Sequence, residues 1–139
     1  MVLAQQGIIG GLPFDIKDAP YQVSISNSNG HLCGGVIIAE RWILTAGHCL
    51  SGRQPSSIYI NAGVTDNTDL TTGQVMTASQ FFIHPNFYYP IQNPVPEFDL
   101  ALIKLDSAIK FDYGTMPVEY ITSKNADAFD LLPGNEALI

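Results

Sequence analysis

The chain has 139 residues, enough for one domain of ordinary size with a real core, and its 46 % apolar content excludes a disordered chain. Only 14 % of residues are charged, the net charge is −7 and the 6 Lys and Arg are scattered, so neither a nucleic-acid partner, which needs a basic stripe, nor a polybasic membrane contact is expected. No apolar run approaches the roughly 20 residues of a membrane span.

Residues 1–7 read as a residual pro-segment or leader; no signal peptide is expected there, because Val2-Leu3-Ala4 is too short for an apolar stretch of roughly 7–15 residues and no basic residue precedes it, as in a mature chain or an incomplete gene model. From there the dominant period is two. Tyr21, Val23 and Ile25 alternate with Gln22, Ser24 and Ser26. After the turn cluster Asn27-Ser28-Asn29-Gly30 come two short apolar runs, Val36-Ile37-Ile38 and Trp42-Ile43-Leu44, parted by Ala39-Glu40-Arg41. Beyond Ser51–Pro55, Ile58 and Ile60 lead into Asn61-Ala62-Gly63, and Gln74–Ile83 forms one longer strand pattern after the turn-rich Thr65–Gly73. Residues 85–98 are a loop of prolines and aromatics, and Leu100–Leu105 is a mostly apolar strand. From about Asp106 to Gly134 the alternation fades into a surface connector, and Glu136–Ile139 looks like a strand just begun. Short strands punctuated by Gly, Pro and Asn predict an all-β barrel or sandwich, with no helix.

The two cysteines, Cys33 and Cys49, do not form a CxxC motif, and with 3 histidines no Cys/His cluster has zinc-ligand spacing. Spacing alone leaves two buried thiols and one disulfide equally open.

Three motifs occur in order: Ile8-Ile9-Gly10-Gly11; Cys33-Gly34-Gly35 followed by Trp42-Ile43-Leu44-Thr45-Ala46-Gly47-His48-Cys49; and Asp99-Leu100-Ala101-Leu102-Ile103-Lys104-Leu105. In this order they resemble the N-terminal barrel of chymotrypsin- and trypsin-like serine proteases, over about residues 8–139. The resemblance implies a six-stranded antiparallel Greek-key β-barrel over 8–115, with 116–139 as an inter-barrel connector and a truncated start of the second barrel. It implies that His48 is the general base, since an imidazole with an ordinary pKa near 6.5 can take a serine proton and return it. It implies that Asp99 is the buried carboxylate orienting that imidazole. It favours a Cys33–Cys49 disulfide clamping the backbone beside His48. Ile8 is the residue that would become a new N-terminus on activation, its amine pairing with a carboxylate beside the nucleophile. His31 reads as a packing histidine and His84 as the start of a loop.

The family's nucleophile lies in a Gly-Asp-Ser-Gly-Gly motif, and no serine of this chain has that context. Gly7 stands where activation sites carry Lys or Arg, and Gly47 stands where alanine is common, a small change expected to be tolerated. The loop from Asn61 to Gln74 lacks the glutamates of the calcium site in some relatives, so Asp66 and Asp69 read as turn residues and no metal or cofactor is expected. There is no Asn-x-Ser/Thr sequon. The resulting expectation is a secreted serine endopeptidase seen by its first half and inactive alone. Its partners would be peptide or protein substrates, protease inhibitors and the second barrel of the same domain, with no nucleic acid or membrane. The alternatives are a non-catalytic homologue that binds a partner and a truncated product without function.

Overall fold

The computed structural model describes residues 14–66, 69, 71–90 and 95–120. Six strands carry the fold: β1 (Gln22–Asn27), β2 (Gly30–Ala39), β3 (Trp42–Thr45), β4 (Tyr59–Ala62), β5 (Gln74–Ile83) and β6 (Ala101–Leu105). They close into a barrel in the order β1-β2-β3-β6-β5-β4, every neighbour antiparallel. Strands β1, β2 and β3 follow one another by hairpins, and β4 returns to lie beside β1, which is the Greek-key arrangement. Among the described residues the only helical turns are three-residue 3₁₀ pieces at Ile16–Asp18, Gly47–Cys49 and Pro55–Ser57.

Alternation along the strands fills the interior. Val23 and Ile25 of β1, Ile37 of β2, Ile43 of β3, Ile60 of β4 and Ile103 and Leu105 of β6 are buried in one cluster. Gly35 sits inside this cluster for a steric reason. A Cβ built on it would lie 2.8 Å from Ile43 Cγ2 and 3.2 Å from side-chain carbons of both Ile25 and Val23. Side chains from three residues therefore fill the space in front of Gly35.

The outer face explains why β2 and β3 read as short apolar runs in the sequence. Val36 pairs with Leu44, Leu44 with Leu102, and Leu102 with Phe82, so one cross-strand row on the outside of β2-β3-β6-β5 is apolar throughout. The neighbouring row holds Trp42 opposite Lys104, with the ammonium 5.8 Å from the indole centroid, and Trp42 also meets the Phe82 ring at 5.5 Å. Strands apolar on both faces read as continuous runs rather than as alternation.

The stretch after β6, read as a surface connector from about Asp106, is tied to the barrel as far as the description extends. Ile109 and Thr115 are buried. Ile109 N–H bonds Glu40 O, Lys110 exchanges two bonds with the Gln74 amide, Met116 N–H bonds Pro20 O and Val118 N–H bonds Ile37 O. Period-two reading missed this strap because its anchors are single residues separated by turns, such as Asp112–Thr115.

Gly35→Ala is expected to destabilise the fold by about 1–3 kcal/mol through overpacking. Gly114→Ala, where an added methyl meets nothing closer than 3.6 Å, is expected to stay within about 0.5 kcal/mol of the parent. Urea denaturation of the two variants checks this pair.

Candidate active site

Strand β3 ends at Thr45, whose hydroxyl donates to Gly34 O at 2.9 Å and fastens the strand end to β2. The chain then makes the 3₁₀ turn Gly47–Cys49, entered from Ala46 in an extended conformation and closed by the Cys49 N–H to Ala46 O and Leu50 N–H to Gly47 O bonds. His48 is the middle residue of that turn. Cys49, buried behind it, is joined to Cys33 of β2 by a disulfide with Cα atoms 6.2 Å apart. Of the two readings that spacing left open, the structure holds the bridge.

Asp99 arrives from the other side, just before β6. Leu100 N–H bonds Phe98 O at 2.8 Å, a γ-turn centred on Asp99, and Phe98 has a left-handed backbone with φ 49°. A phenylalanine in that region persists only when its surroundings hold it. Here the Phe98 ring stacks on His84 with centroids 5.1 Å apart and planes 8° apart, and His84 N–H bonds Leu100 O at 2.9 Å. His84 is thus more than a loop start: its backbone and ring together fix the turn that aims Asp99.

The carboxylate meets the turn at two points. Asp99 Oδ1 accepts the His48 backbone N–H at 2.8 Å, and Asp99 Oδ2 lies 2.7 Å from His48 Nδ1. Burial works most strongly against the charge on Asp99. The His48 ring, the His48 N–H, the imidazole's charge and the Gly47 N–H together outweigh it and hold the carboxyl below its ordinary pKa. An ionised carboxylate can only accept, so the shared proton belongs on Nδ1 and the neutral ring keeps its lone pair on Nε2. The imidazole is 48 % exposed and Asp99 21 %, so the carboxylate is half-buried rather than buried as expected. Nε2 lies 3.5 Å from the Cys49 sulfur.

A comparison across protein families places residues 8–130 in the family described as Trypsin. The chain belongs to the trypsin family. It is 29 % identical over 113 residues to Trypsin 5G1 of Aedes aegypti, covering 81 % of this chain and 40 % of that protein. It is 32 % identical over 113 residues to Ovochymase-2 of Mus musculus, covering 80 % of this chain and 18 % of that protein. It therefore spans less than half the length of either relative. Membership agrees with the closed all-β barrel and supports a serine-protease-like function at the coarse level.

Of the site residues expected from the sequence of this trypsin-family chain, His48, Asp99, Cys33 and Cys49 come together at one end of the barrel. Ile8 lies outside the described residues. His31, expected to pack, is exposed, and its Nδ1 instead pairs with the buried Ser24 hydroxyl at 2.7 Å. Asp69 closes a turn, accepting the Thr71 N–H at 3.0 Å and the Thr71 hydroxyl at 2.6 Å. Cys33, His48 and Cys49 place ligand-type atoms within 4.8 Å of one another, but both sulfurs are committed to the disulfide and offer no thiolate.

Gly47 is a site residue whose role the sequence did not reveal. An alanine Cβ there would lie 2.9 Å from Phe87 Cδ2 and 3.1 Å from Phe87 Cγ, so the ring of Phe87, from the proline-rich loop, occupies the place of the missing methyl. The glycine is matched to that ring rather than being a neutral replacement for alanine. Gly47→Ala is expected to lose about 1–3 kcal/mol of stability, and in the Phe87→Leu background to lose less, since the smaller side chain leaves room. A double-mutant cycle by denaturant unfolding reads the coupling; equal losses in both backgrounds would show that the ring is not the obstacle.

The lowered pKa of Asp99 also sets a direction with pH. A carboxyl whose folded pKa lies below its unfolded value stabilises the fold above the unfolded value, and that contribution is lost as pH falls through the folded pKa. Asp69 and Asp106 are shifted the same way by hydrogen bonds to Thr71 and Thr77. Stability is therefore expected to decline below about pH 4, and Asp99→Asn to make that decline shallower. Thermal unfolding of both proteins between neutral and acid pH measures it.

Proposed function

We propose that this chain carries the base-bearing part of a secreted serine endopeptidase. His48 is the general base and Asp99 the group that fixes its tautomer and stabilises the imidazolium. The observation that carries this reading is the pair of bonds from Asp99 to the His48 ring and backbone, which places the proton on Nδ1 and leaves Nε2 its lone pair, 3.5 Å from the Cys49 sulfur, on an imidazole that is half exposed to solvent. In the proposed reaction Nε2 takes the hydroxyl proton of a serine as its oxygen attacks the peptide carbonyl, and then returns that proton to the leaving amine. Water, deprotonated by Nε2, next attacks the acyl-enzyme, and Nε2 returns that proton to the serine oxygen as the carboxylic acid is released.

Serines with described partners are engaged elsewhere: Ser24 with His31, Ser26 with Asn61, Ser57 with Gln54 O, Ser79 with Lys104 O and Ser107 with Asp106. This supports a nucleophile contributed from a second barrel, which would pack where His48 and Asp99 face solvent. Residues 8–115 are proposed as the first barrel, 116–139 as the passage to the second, and Ile8 as the amine that forms on activation. Substrates would be peptides or proteins, with protein inhibitors of such proteases as further partners. The disulfide supports an oxidising, extracellular location. Among the described residues no helix is long and apolar enough to cross a membrane.

The test compares two proteins: the 139-residue chain, and the same chain extended by whatever its transcript encodes downstream. The extended protein is expected to contain Gly-Asp-Ser-Gly-Gly, to hydrolyse chromogenic peptides and to react with a fluorophosphonate probe, with His48→Ala lowering kcat on the order of 10⁶-fold. The 139-residue chain is expected to do neither, because the oxyanion hole that sustains residual turnover would also be absent. A replaced serine in the continuation would turn the reading towards a binding protein. Probe labelling of the short chain that depends on His48 would overturn the assignment of the nucleophile.

A further inference from the structure

The cluster of Cys33, His48 and Cys49 has a chemistry that its oxidised form conceals. We propose that reduction of the Cys33–Cys49 disulfide converts this corner of the barrel into a three-donor site for Zn²⁺, with both thiolates and His48 Nε2 as ligands and one position open to water.

Three independent features of the site converge on this. The first is the placement of donors. All three ligand atoms lie within 4.8 Å of one another. Tetrahedral zinc with bonds of about 2.3 Å to sulfur and about 2.0–2.1 Å to nitrogen separates those two ligands by about 3.5 Å, and His48 Nε2 stands 3.5 Å from Cys49 Sγ. Two thiolates on the same ion stand about 3.8 Å apart. Once the bond is cut, half-buried Cys33 can reach that spacing by turning its side chain, while buried Cys49 stays in place. The second feature is the shell behind the donors. A zinc-bound histidine commonly gives its other ring N–H to a carboxylate, which fixes the tautomer and raises ligand basicity. Asp99 Oδ2, 2.7 Å from Nδ1, already occupies that position, so Nε2 presents its lone pair with no rearrangement. The third is access. His48 is 48 % exposed, so an ion can enter from solvent and a water can complete the coordination.

The balance is simple. A phosphine in water delivers two electrons to the disulfide, breaks the S–S bond and becomes the phosphine oxide, leaving two thiols. Zinc then displaces both thiol protons, and Zn²⁺ with two thiolates and a neutral imidazole carries no net charge. The ion takes the lone pair that the proposed peptidase would use to accept a serine proton. Zinc would therefore silence the base in the reduced state. That consequence rests on the proposed role of His48; the metal site does not.

The test uses the full 139-residue chain, reduced with a phosphine, freed of excess reagent without air and titrated with Co²⁺ as a spectroscopic stand-in for Zn²⁺. The reduced chain is expected to bind one Co²⁺ with thiolate-to-cobalt charge-transfer absorption and to lose the colour when Zn²⁺ displaces it. The oxidised chain is expected to give no such band. Reduced His48→Ala is expected to bind at least tenfold more weakly, and Asp99→Asn to bind about 10–100-fold more weakly. Circular dichroism follows the barrel in every sample. Equal affinity with and without His48, an equal band from the oxidised chain, or no band from a reduced chain that keeps its barrel would each overturn the proposal. So would a reduced chain that loses its barrel and does not regain it with Zn²⁺. No substrate is involved, so the metal site and the peptidase reading stand or fall separately.

Discussion

Thr45 pairs with Ala101 at the end of the β3–β6 ladder, and the site begins where that ladder stops. His48 lies three residues beyond one strand end and Asp99 two residues before the other, so antiparallel pairing brings together groups that are 51 positions apart. Register carries the whole arrangement. A slip of β6 by one residue against β3 would turn Ile103 and Leu105 outward and bring Leu102 and Lys104 into the core, and it would also move Asp99 off the His48 turn. The core and the site are therefore held by the same pairing, with buried Ile43 and Ile103 directly opposite each other on the two strands.

That register in turn depends on closure. In an open sheet β4 would present an edge, but here β4 pairs with β1 and β5 while β6 completes the circle against β3. The residues after β6 add a strap whose Ile109, Met116 and Val118 N–H groups bond Glu40 in the β2–β3 turn, Pro20 just before β1 and Ile37 of β2. The apolar row outside, from Val36 to Phe82, runs over four consecutive strands of the barrel, of which β2 carries Cys33, β3 leads into the His48 turn and β6 follows Asp99. A two-sided apolar sheet of this kind suits burial on both faces.

Much of this was legible in the sequence, for reasons that can be stated. Turn residues on both sides bound the Gln74–Ile83 pattern in the sequence, and β5 has that span. Leu100–Leu105 was right to within one residue, although its alternation was hidden by apolar Leu102 on the outer face. The encounter of His48 with Asp99 could be named only because short motifs resembled a family; nothing in local periodicity links two residues so far apart. What stayed illegible depends on contacts without a local signature. Phe98 adopts a left-handed backbone that no phenylalanine announces, and it does so under the His84 ring. Gly47 looked like a neutral departure because the Phe87 ring that fills its place comes from a distant loop. The exposure of His31 likewise follows from its place opposite Ser26 beside the β1–β2 turn rather than from the apolar and glycine residues next to it in sequence.

The 3₁₀ turn that carries His48 shows how such a site is kept in place without intrinsic stability. Three residues beginning with glycine have almost no tendency to hold a turn alone, since one or two hydrogen bonds scarcely offset the ordering of the backbone. The turn is instead pinned from three directions. Thr45 fixes the strand before it, the disulfide across 16 positions fixes Cys49 to β2, and Asp99 fixes the His48 N–H from β6. Closing a loop of that size is worth about 3 kcal/mol on a chain-entropy estimate, the largest single share of the three. Asp99 contributes less to stability and more to direction, because one oxygen holds the backbone while the other sets the ring. With both carboxylate oxygens engaged, rotation of the imidazole would break the ring bond without freeing the backbone bond. The ring therefore has one favoured orientation, and Nε2 is the nitrogen that orientation leaves available.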